Sequence, residues 1–418
     1  MSRSFRTPFH LILVLTVGIG FLGCSGPGVD VPKPQAQKVL LVSFDGFRHD
    51  YLSKTNTPNF DQLIEKGVSS EGLIPIFPSK TFPNYYAIAT GLYPENSGFI
   101  GNSMYDSTMN ARFTMGDRDQ VENPQWYGGE PIWNTVEKAG KKAGTMFWVG
   151  SEAPIQNMRP THWKSYDGSM PDSARIDTVI KWLNYGNERE VDLSTLYFSF
   201  VDSRGHRYGT DSEEVKAAIK KADDLIGYLM EKMEEQKLTS NTNLLIVSDH
   251  GMADVSRERI VVLDEMIDPE DVEMIEYSPS VMMNVRDQKM DEVYDALKAN
   301  EEHFKVYKKE DIPDRFHLKD HYRVPDLLMV ADVGYTINTR AYFESRENYP
   351  SGGAHGFDNQ ASEMHALFVA KGPDLKEGFR MKAFENVHLY ELMAHLLQVQ
   401  PANTDGSLDS VKVLLKEH

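Results

Sequence analysis

The sequence predicts an α/β fold, a mostly parallel central sheet flanked by helices and carrying a small α+β insertion as a cap. Three observations lead there. The runs "KVLLVSFDG", "GTMFWVG", "STLYFSFVD", "NLLIVSDHG", "DLLMVAD" and "HALFVAKG" are continuously apolar rather than alternating, as in strands of a parallel sheet buried on both faces. Helical patterns separate them, among them "TPNFDQLIEKG", "PIWNTVEKAG" and "SEEVKAAIKKADDLIGYLMEKMEEQ". The stretch from about 265 to 345 differs in texture, joining "SVMMNVR" and "FKVYKKED" to a helix-like "MDEVYDALKAN", and supplies the insertion.

Taken in order, residues 1–23 read as a secretory signal, with Arg3 and Arg6 ahead of an apolar run that closes on small residues. Cys24, the only cysteine, follows "FLG" in a context similar to a bacterial lipobox, although Phe21 stands where leucine is usual. Lipidation there would anchor an exported protein to a bacterial membrane, facing periplasm or exterior. Residues 24–37, rich in Pro, Gly and polar side chains, read as a tether, and 38–418 as the main domain. An exported domain without further cysteines must rely on its core or on bound metals rather than disulfides.

Composition narrows the partners. The 418 residues are 40% hydrophobic and 25% charged, which excludes a disordered chain. Forty-four basic against 62 acidic residues give a net charge of -18, which repels duplex nucleic acid. Small anionic substrates stay possible where bound cations reverse the local field.

Three apolar runs end in acid: Asp45 after "LLVSF", Asp202 after "LYFSFV", and Asp249 with His250 after "LLIVS". Ligands of open α/β sheets bind beyond the carboxyl ends of the strands, so these groups can converge. A strand-terminal aspartate also serves as a plain helix N-cap. With His206 and His355 the set offers carboxylates and imidazoles in a ratio that suits zinc or a similar divalent ion. Spacing alone does not select them, because Asp45 with His49 and His317 with His321 repeat the i, i+4 interval of Asp202 and His206. Gly205 between the last two predicts a turn that aims both into a cleft. The hydroxyl of Thr81, in "PSKTFPN", is a poor nucleophile unless a base or metal activates it.

The runs "VSFDGFRHDYL", "IFPSKTFPNYYAIATGLYPENSGFIGN", "DSRGHRYG", "SDHGM" and "HGFDN", in this order, resemble the nucleotide pyrophosphatase/phosphodiesterase family of the alkaline phosphatase superfamily. The resemblance implies an alkaline-phosphatase-like fold and two zinc ions, one held by Asp202, His206 and His355, the other by Asp45, Asp249, His250 and the Thr81 oxygen. It implies hydrolysis of nucleotide phosphodiester or pyrophosphate bonds to nucleoside 5′-monophosphates through a phosphothreonine on Thr81. Asn102 would hydrogen-bond a phosphoryl oxygen, and Phe82 and Tyr166 would sandwich the base. For either ring taken singly core packing competes, and the surrounding motif favours the sandwich. Tyr208 and Tyr197 are open between pocket and core.

Ser97 and Val201 depart from the family pattern, where histidine and "EPD" are common, which bears on pocket shape and leaving group. Alternatives on the same two-zinc site are a phosphomonoesterase, with Lys164 to hold the extra phosphate charge, and a glycerophosphodiester or lysophospholipid phosphodiesterase. A noncatalytic nucleotide-binding lipoprotein is a further alternative. Loss of the nucleophile or of a ligand would mark it, and neither is lost. No protein partner is predicted.

Overall fold

A computed structural model of the chain describes residues 37–346 and 348–417, so the signal segment and Cys24 lie outside the described residues. Its centre is an eight-stranded sheet. In chain order the strands are β1 (Lys38–Phe44), β2 (Val68–Ser70), β3 (Ala143–Met146), β4 (His162–Lys164), β5 (Leu193–Phe198), β6 (Thr242–Val247), β7 (Phe368–Lys371) and β8 (Phe379–Met381). They lie side by side as β8-β2-β7-β6-β1-β5-β3-β4. β1 is central, with Leu41 opposite Thr195 on one side and Leu245 on the other, and all of its residues are buried.

Alternate residues of β1 feed two helical layers. Val39 and Leu41 join a core with Tyr85 and Ile88 of α2 (Thr81–Thr90), Trp133 of α3 (Ile132–Lys138) and Leu389 of α7 (His388–Leu396). Leu40, Val42 and Phe44 join the opposite core with α1 (Pro58–Glu65), α4 (Asp172–Leu183) and α6 (Glu213–Glu235). α6 starts where Ser212 accepts a hydrogen bond from the Val215 N–H at 3.2 Å, with Glu213 and Glu214 in the first turn. Its buried stripe of Val215, Ala218, Ile219, Ala222, Ile226 and Leu229 follows helical spacing.

Direction and membership of two strands differ from expectation. β7, the run "HALFVAKG", is antiparallel to both β2 and β6, whereas the other strands of the sheet share one direction. A strand buried on both faces is uniformly apolar whichever way it runs, so composition does not report its polarity. The run "DLLMVAD" lies outside this sheet. Leu327–Ala331 is an inner strand of a four-stranded antiparallel sheet with Val272–Glu276, Ser280–Val285 and Phe304–Lys308, accompanied by the helix Met290–Ala299. Leu328 and Val330 pack into the core that holds Val39 and Leu41, while Leu327 and Met329 pack with Val293, Leu297 and Phe304. Double burial explains its composition without parallel pairing.

Candidate active site

Asp45 follows β1 directly, and its N–H donates to the Phe198 carbonyl at 2.8 Å. Asp202 lies in the first turn of α5 (Phe200–Tyr208), with its own N–H on the Asp45 carbonyl at 2.9 Å. Asp249 and His250 follow β6. The carboxyl ends of three adjacent strands thus place these four residues together. Gly46 makes the approach possible: its φ is +67°, and a Cβ there would stand 2.9 Å from the Asp202 Cα.

Asp202 and His206 do not sit on a turn, contrary to the sequence expectation. They occupy successive turns of α5, and Gly205 instead lets the side chain of Met252 pack close. His206 Nε2 lies 3.3 Å from Asp202 Oδ1, and His355 Nε2 lies 3.8 Å from the same atom. His355, in a loop where a lone histidine would ordinarily face solvent, is buried and stacks on His250 with ring centroids 3.5 Å apart.

Each imidazole is oriented by backbone. Nδ1 of His206 donates to the Gly353 carbonyl at 2.9 Å, Nδ1 of His250 to Gly251 at 2.8 Å, and Nδ1 of His355 to Ser79 at 2.9 Å. Nδ1 therefore carries a proton, and the Nε2 atoms are the ones that face the carboxylates. Asp45 Oδ1, Asp202 Oδ1 and Asp249 Oδ2 are buried without a hydrogen-bond partner. Burial, joined by the charges of Asp249 and Asp202, pushes the Asp45 carboxyl well above its usual range. Burial raises Asp202 as well, against the pull of His206. Burial works against protonation of His250 but is outweighed by Asp249, so its pKa rises; burial and the neighbouring imidazoles push His355 down.

Such a group of unpaired carboxylate oxygens and imidazole nitrogens, buried except toward His206, fits a divalent cation. Asp202, His206 and His355 offer ligand atoms within 4.8 Å of one another, and so do Asp45, Asp202 and His250. Asp202 reaches both groups, where the family resemblance had assigned it to one. Asp249 Oδ2 stands 3.0 Å from His250 Nε2 at the edge of the second.

Thr81 is the first residue of α2, and its Oγ1 lies 3.2 Å from His250 Nε2. The loop before it is stitched by Asn84, buried, whose amide accepts from the Ile76 N–H at 2.8 Å and donates to the Pro78 and Lys80 carbonyls at 3.0 and 2.8 Å. Asn102 Oδ1 accepts the Phe82 N–H at 2.9 Å. A backbone N–H can only donate, so the atom facing it is the oxygen and the Asn102 NH2 is left for another acceptor.

Phe82 is half-buried, its ring 5.9 Å from that of Phe99 and 5.6 Å from Phe113. Tyr166 is 44% exposed and leans edge-on against Phe147 at 5.3 Å and Tyr197 at 6.1 Å. Tyr208 and Lys164 are exposed, Ser97 Oγ accepts the Phe99 N–H at 3.3 Å, and Val201 is core.

Sequence reasoning missed three participants. Tyr197, left open between pocket and core, donates its hydroxyl to Asp45 Oδ2 at 2.6 Å. Asn84 and the buried Lys80, paired with Glu276 Oε1 at 2.9 Å, gave no signal beyond lying beside Thr81.

Fold and site define a hydrolase of the alkaline-phosphatase-like class, built for phosphoryl chemistry. The profile described as "Type I phosphodiesterase / nucleotide pyrophosphatase" matches residues 39–358. The chain belongs to that family. It is 36% identical over 383 residues to human ectonucleotide pyrophosphatase/phosphodiesterase family member 5, covering 92% of this chain and 79% of that protein. It is 35% identical over 390 residues to a bis(5′-adenosyl)-triphosphatase of Xenopus laevis, covering 93% and 84%. Among solved structures, murine ectonucleotide pyrophosphatase/phosphodiesterase 5, an inactive threonine-to-alanine variant in complex with AMP, superposes with a TM-score of 0.85 at 36% identity, covering 91% of this chain and 100% of that one.

Proposed function

We propose that the chain hydrolyses phosphodiester and phosphoric anhydride bonds of nucleotides and releases nucleoside 5′-monophosphates through a phosphothreonine on Thr81. The observation that carries this reading is the Thr81 hydroxyl at the start of α2, 3.2 Å from His250 Nε2 within the carboxylate and imidazole cluster. The AMP bound by the murine relative and the diadenosine substrate in the Xenopus relative's name support a nucleotide substrate.

The mixed nitrogen and oxygen donors suit two zinc ions, one with Asp202, His206 and His355, the other with Asp45, Asp249, His250 and Thr81. Such ions lower the pKa of a neighbouring hydroxyl or water and offset phosphoryl charge. The chain supplies the rest. Thr81 Oγ1 bonds to phosphorus as the bond to the leaving oxygen breaks, and water then displaces Thr81 to restore its hydroxyl. The Asn102 NH2 donates to a phosphoryl oxygen, the N-terminus of α2 favours its negative charge, and Phe82 and Tyr166 offer aromatic faces to the base.

The test compares p-nitrophenyl thymidine 5′-monophosphate with p-nitrophenyl phosphate, with zinc and with chelator. Diester cleavage that is faster than monoester cleavage, needs metal and vanishes in Thr81→Ala is expected. Faster monoester cleavage overturns the substrate, and an active Thr81→Ala overturns the mechanism. The N-terminal sequence supports export and lipid anchoring at Cys24, for which Cys24→Ser should move the protein from the membrane to the soluble fraction of a bacterial host; unchanged partitioning would exclude the anchor.

A further inference from the structure

Glu276 stands far from Thr81 in sequence and contributes nothing to the carboxylate and imidazole cluster, yet its buried carboxylate touches the residues flanking both Thr81 and Asn102. Oε1 pairs with Lys80 Nζ at 2.9 Å, and Lys80 precedes Thr81. Oε2 accepts the Ser103 N–H at 2.9 Å, and Ser103 follows Asn102. Oε1 also accepts the Tyr277 N–H at 2.7 Å, while Lys80 Nζ donates to the Tyr277 carbonyl at 2.5 Å. Both residues are nearly inaccessible, Lys80 at 4% and Glu276 at 3%. The approach is close: a Cβ on Gly101 would fall 2.4 Å from Glu276 Oε2. Glu276 ends the strand Val272–Glu276 just after a register shift between Met274 and Glu276, a local irregularity of the kind that re-aims a side chain.

A buried ion pair is seldom retained for stability alone, because desolvation offsets much of its attraction. Here one carboxylate from the second sheet ties together two segments packed on the central sheet that carry, on the proposed reading, the nucleophile and the amide that holds the phosphoryl oxygen. We propose that Glu276, acting through Lys80 and Ser103, is a positioning residue that sets the separation between the Thr81 hydroxyl and the Asn102 NH2. It touches no substrate. The inference rests on the roles given above to Thr81 and Asn102.

The test uses the full chain, loaded with zinc, on p-nitrophenyl thymidine 5′-monophosphate. Glu276→Gln keeps the shape and an acceptor for Ser103 but removes the charge that holds Lys80; Lys80→Met removes the other end. Each is expected to lower kcat by up to about 100-fold, the scale of a misplaced reacting group, with KM nearly constant and the thermal transition retained. The double variant should lose no more than the worse single one, as for two residues acting through one contact. A folded Glu276→Gln with wild-type kcat, losses that multiply, or a loss confined to KM would overturn the inference. Should Glu276→Gln lose its thermal transition, Lys80→Met carries the same kcat and KM test alone. Thr81→Ala in the same assay separates the two levels: if it is active the proposed chemistry fails, and if it is inactive while Glu276→Gln is unchanged only the positioning role fails.

Discussion

Tyr197 donates its hydroxyl to Asp45 Oδ2 at 2.6 Å, and the other oxygen of that carboxylate, unpaired, faces His250 Nε2 at 3.5 Å. Hydrogen bonds of this kind orient ligating carboxylates, and their loss typically lowers metal affinity or activity by 10- to 100-fold, roughly. Tyr197→Phe keeps the ring, which packs edge-on against Tyr85 at 5.3 Å. Zinc titration against a competing chelator should therefore show weaker binding with little change in the metal-free melting temperature. Equal affinity would show the hydroxyl to be idle.

On the proposed reading Asn102 has two duties that two substitutions separate. Asn102→Ala removes both the acceptor of the Phe82 N–H and the NH2 group. It should cost about 1 kcal/mol of stability and lower kcat roughly 10²- to 10³-fold, the range seen when one donor to developing charge is deleted. Asn102→Asp keeps the acceptor and loses the donor, so stability should stay while kcat falls. Urea unfolding and steady-state kinetics on both variants check this, and an Asp variant with wild-type kcat would remove Asn102 from the chemistry.

Arg323 is held in place by one acid. Its Nε donates to Asp106 Oδ2 at 2.7 Å, and its guanidinium also donates to the carbonyls of Gly98 and Trp126, each at 2.9 Å. Burial opposes ionisation of Asp106, but hydrogen bonds from Thr108, Tyr322 and Arg323 hold its carboxyl well below the usual range. Breaking a buried pair from one side costs about 3–5 kcal/mol. Asp106→Ala should show that loss in urea unfolding; a loss below about 1 kcal/mol, the level of a surface pair, would mean that the carbonyls alone suffice.

His321 makes stability acid-sensitive. Burial, then the charges of Arg323 and Lys309, outweigh Asp106 and lower its pKa from 6.5 to about 4, and its Nδ1 accepts the Arg323 N–H at 3.2 Å. A base whose folded pKa is depressed is protonated first in the unfolded chain. Its contribution is complete above about pH 6.5 and is lost as pH falls toward about 4. The ring is partly solvated, so the contribution is about 1–2 kcal/mol after screening. Unfolding free energies at about pH 7 and about pH 4.5 should differ less in His321→Gln than in the wild type; an equal difference would place the sensitivity elsewhere.

The legible parts of this molecule are those where one segment reports its own environment. β1, β5 and β6 announce themselves by unbroken apolar residues, and Asp45 and Asp249 by standing at the end of such runs. Ser212 and the stripe of α6 do the same for a helix. What escaped depends on a partner distant in the chain. The direction of β7 is set by its neighbours, Tyr197 has the composition of a core residue until Asp45 is placed beside it, and Glu276 looks like an ordinary strand-end acid until Lys80 and Ser103 meet it. Gly205 is ambiguous in sequence, since a glycine signals either a turn or a close approach and only Met252 decides which.

The strand Leu327–Ala331 has one set of side chains in the central core and the other in the second sheet's own core. It is a party wall rather than a partition. Neither core can be repacked without the other registering the change, so drift in the second sheet is coupled to the scaffold beneath the strand ends that carry Asp45 and Asp249, and the second sheet is no detachable accessory.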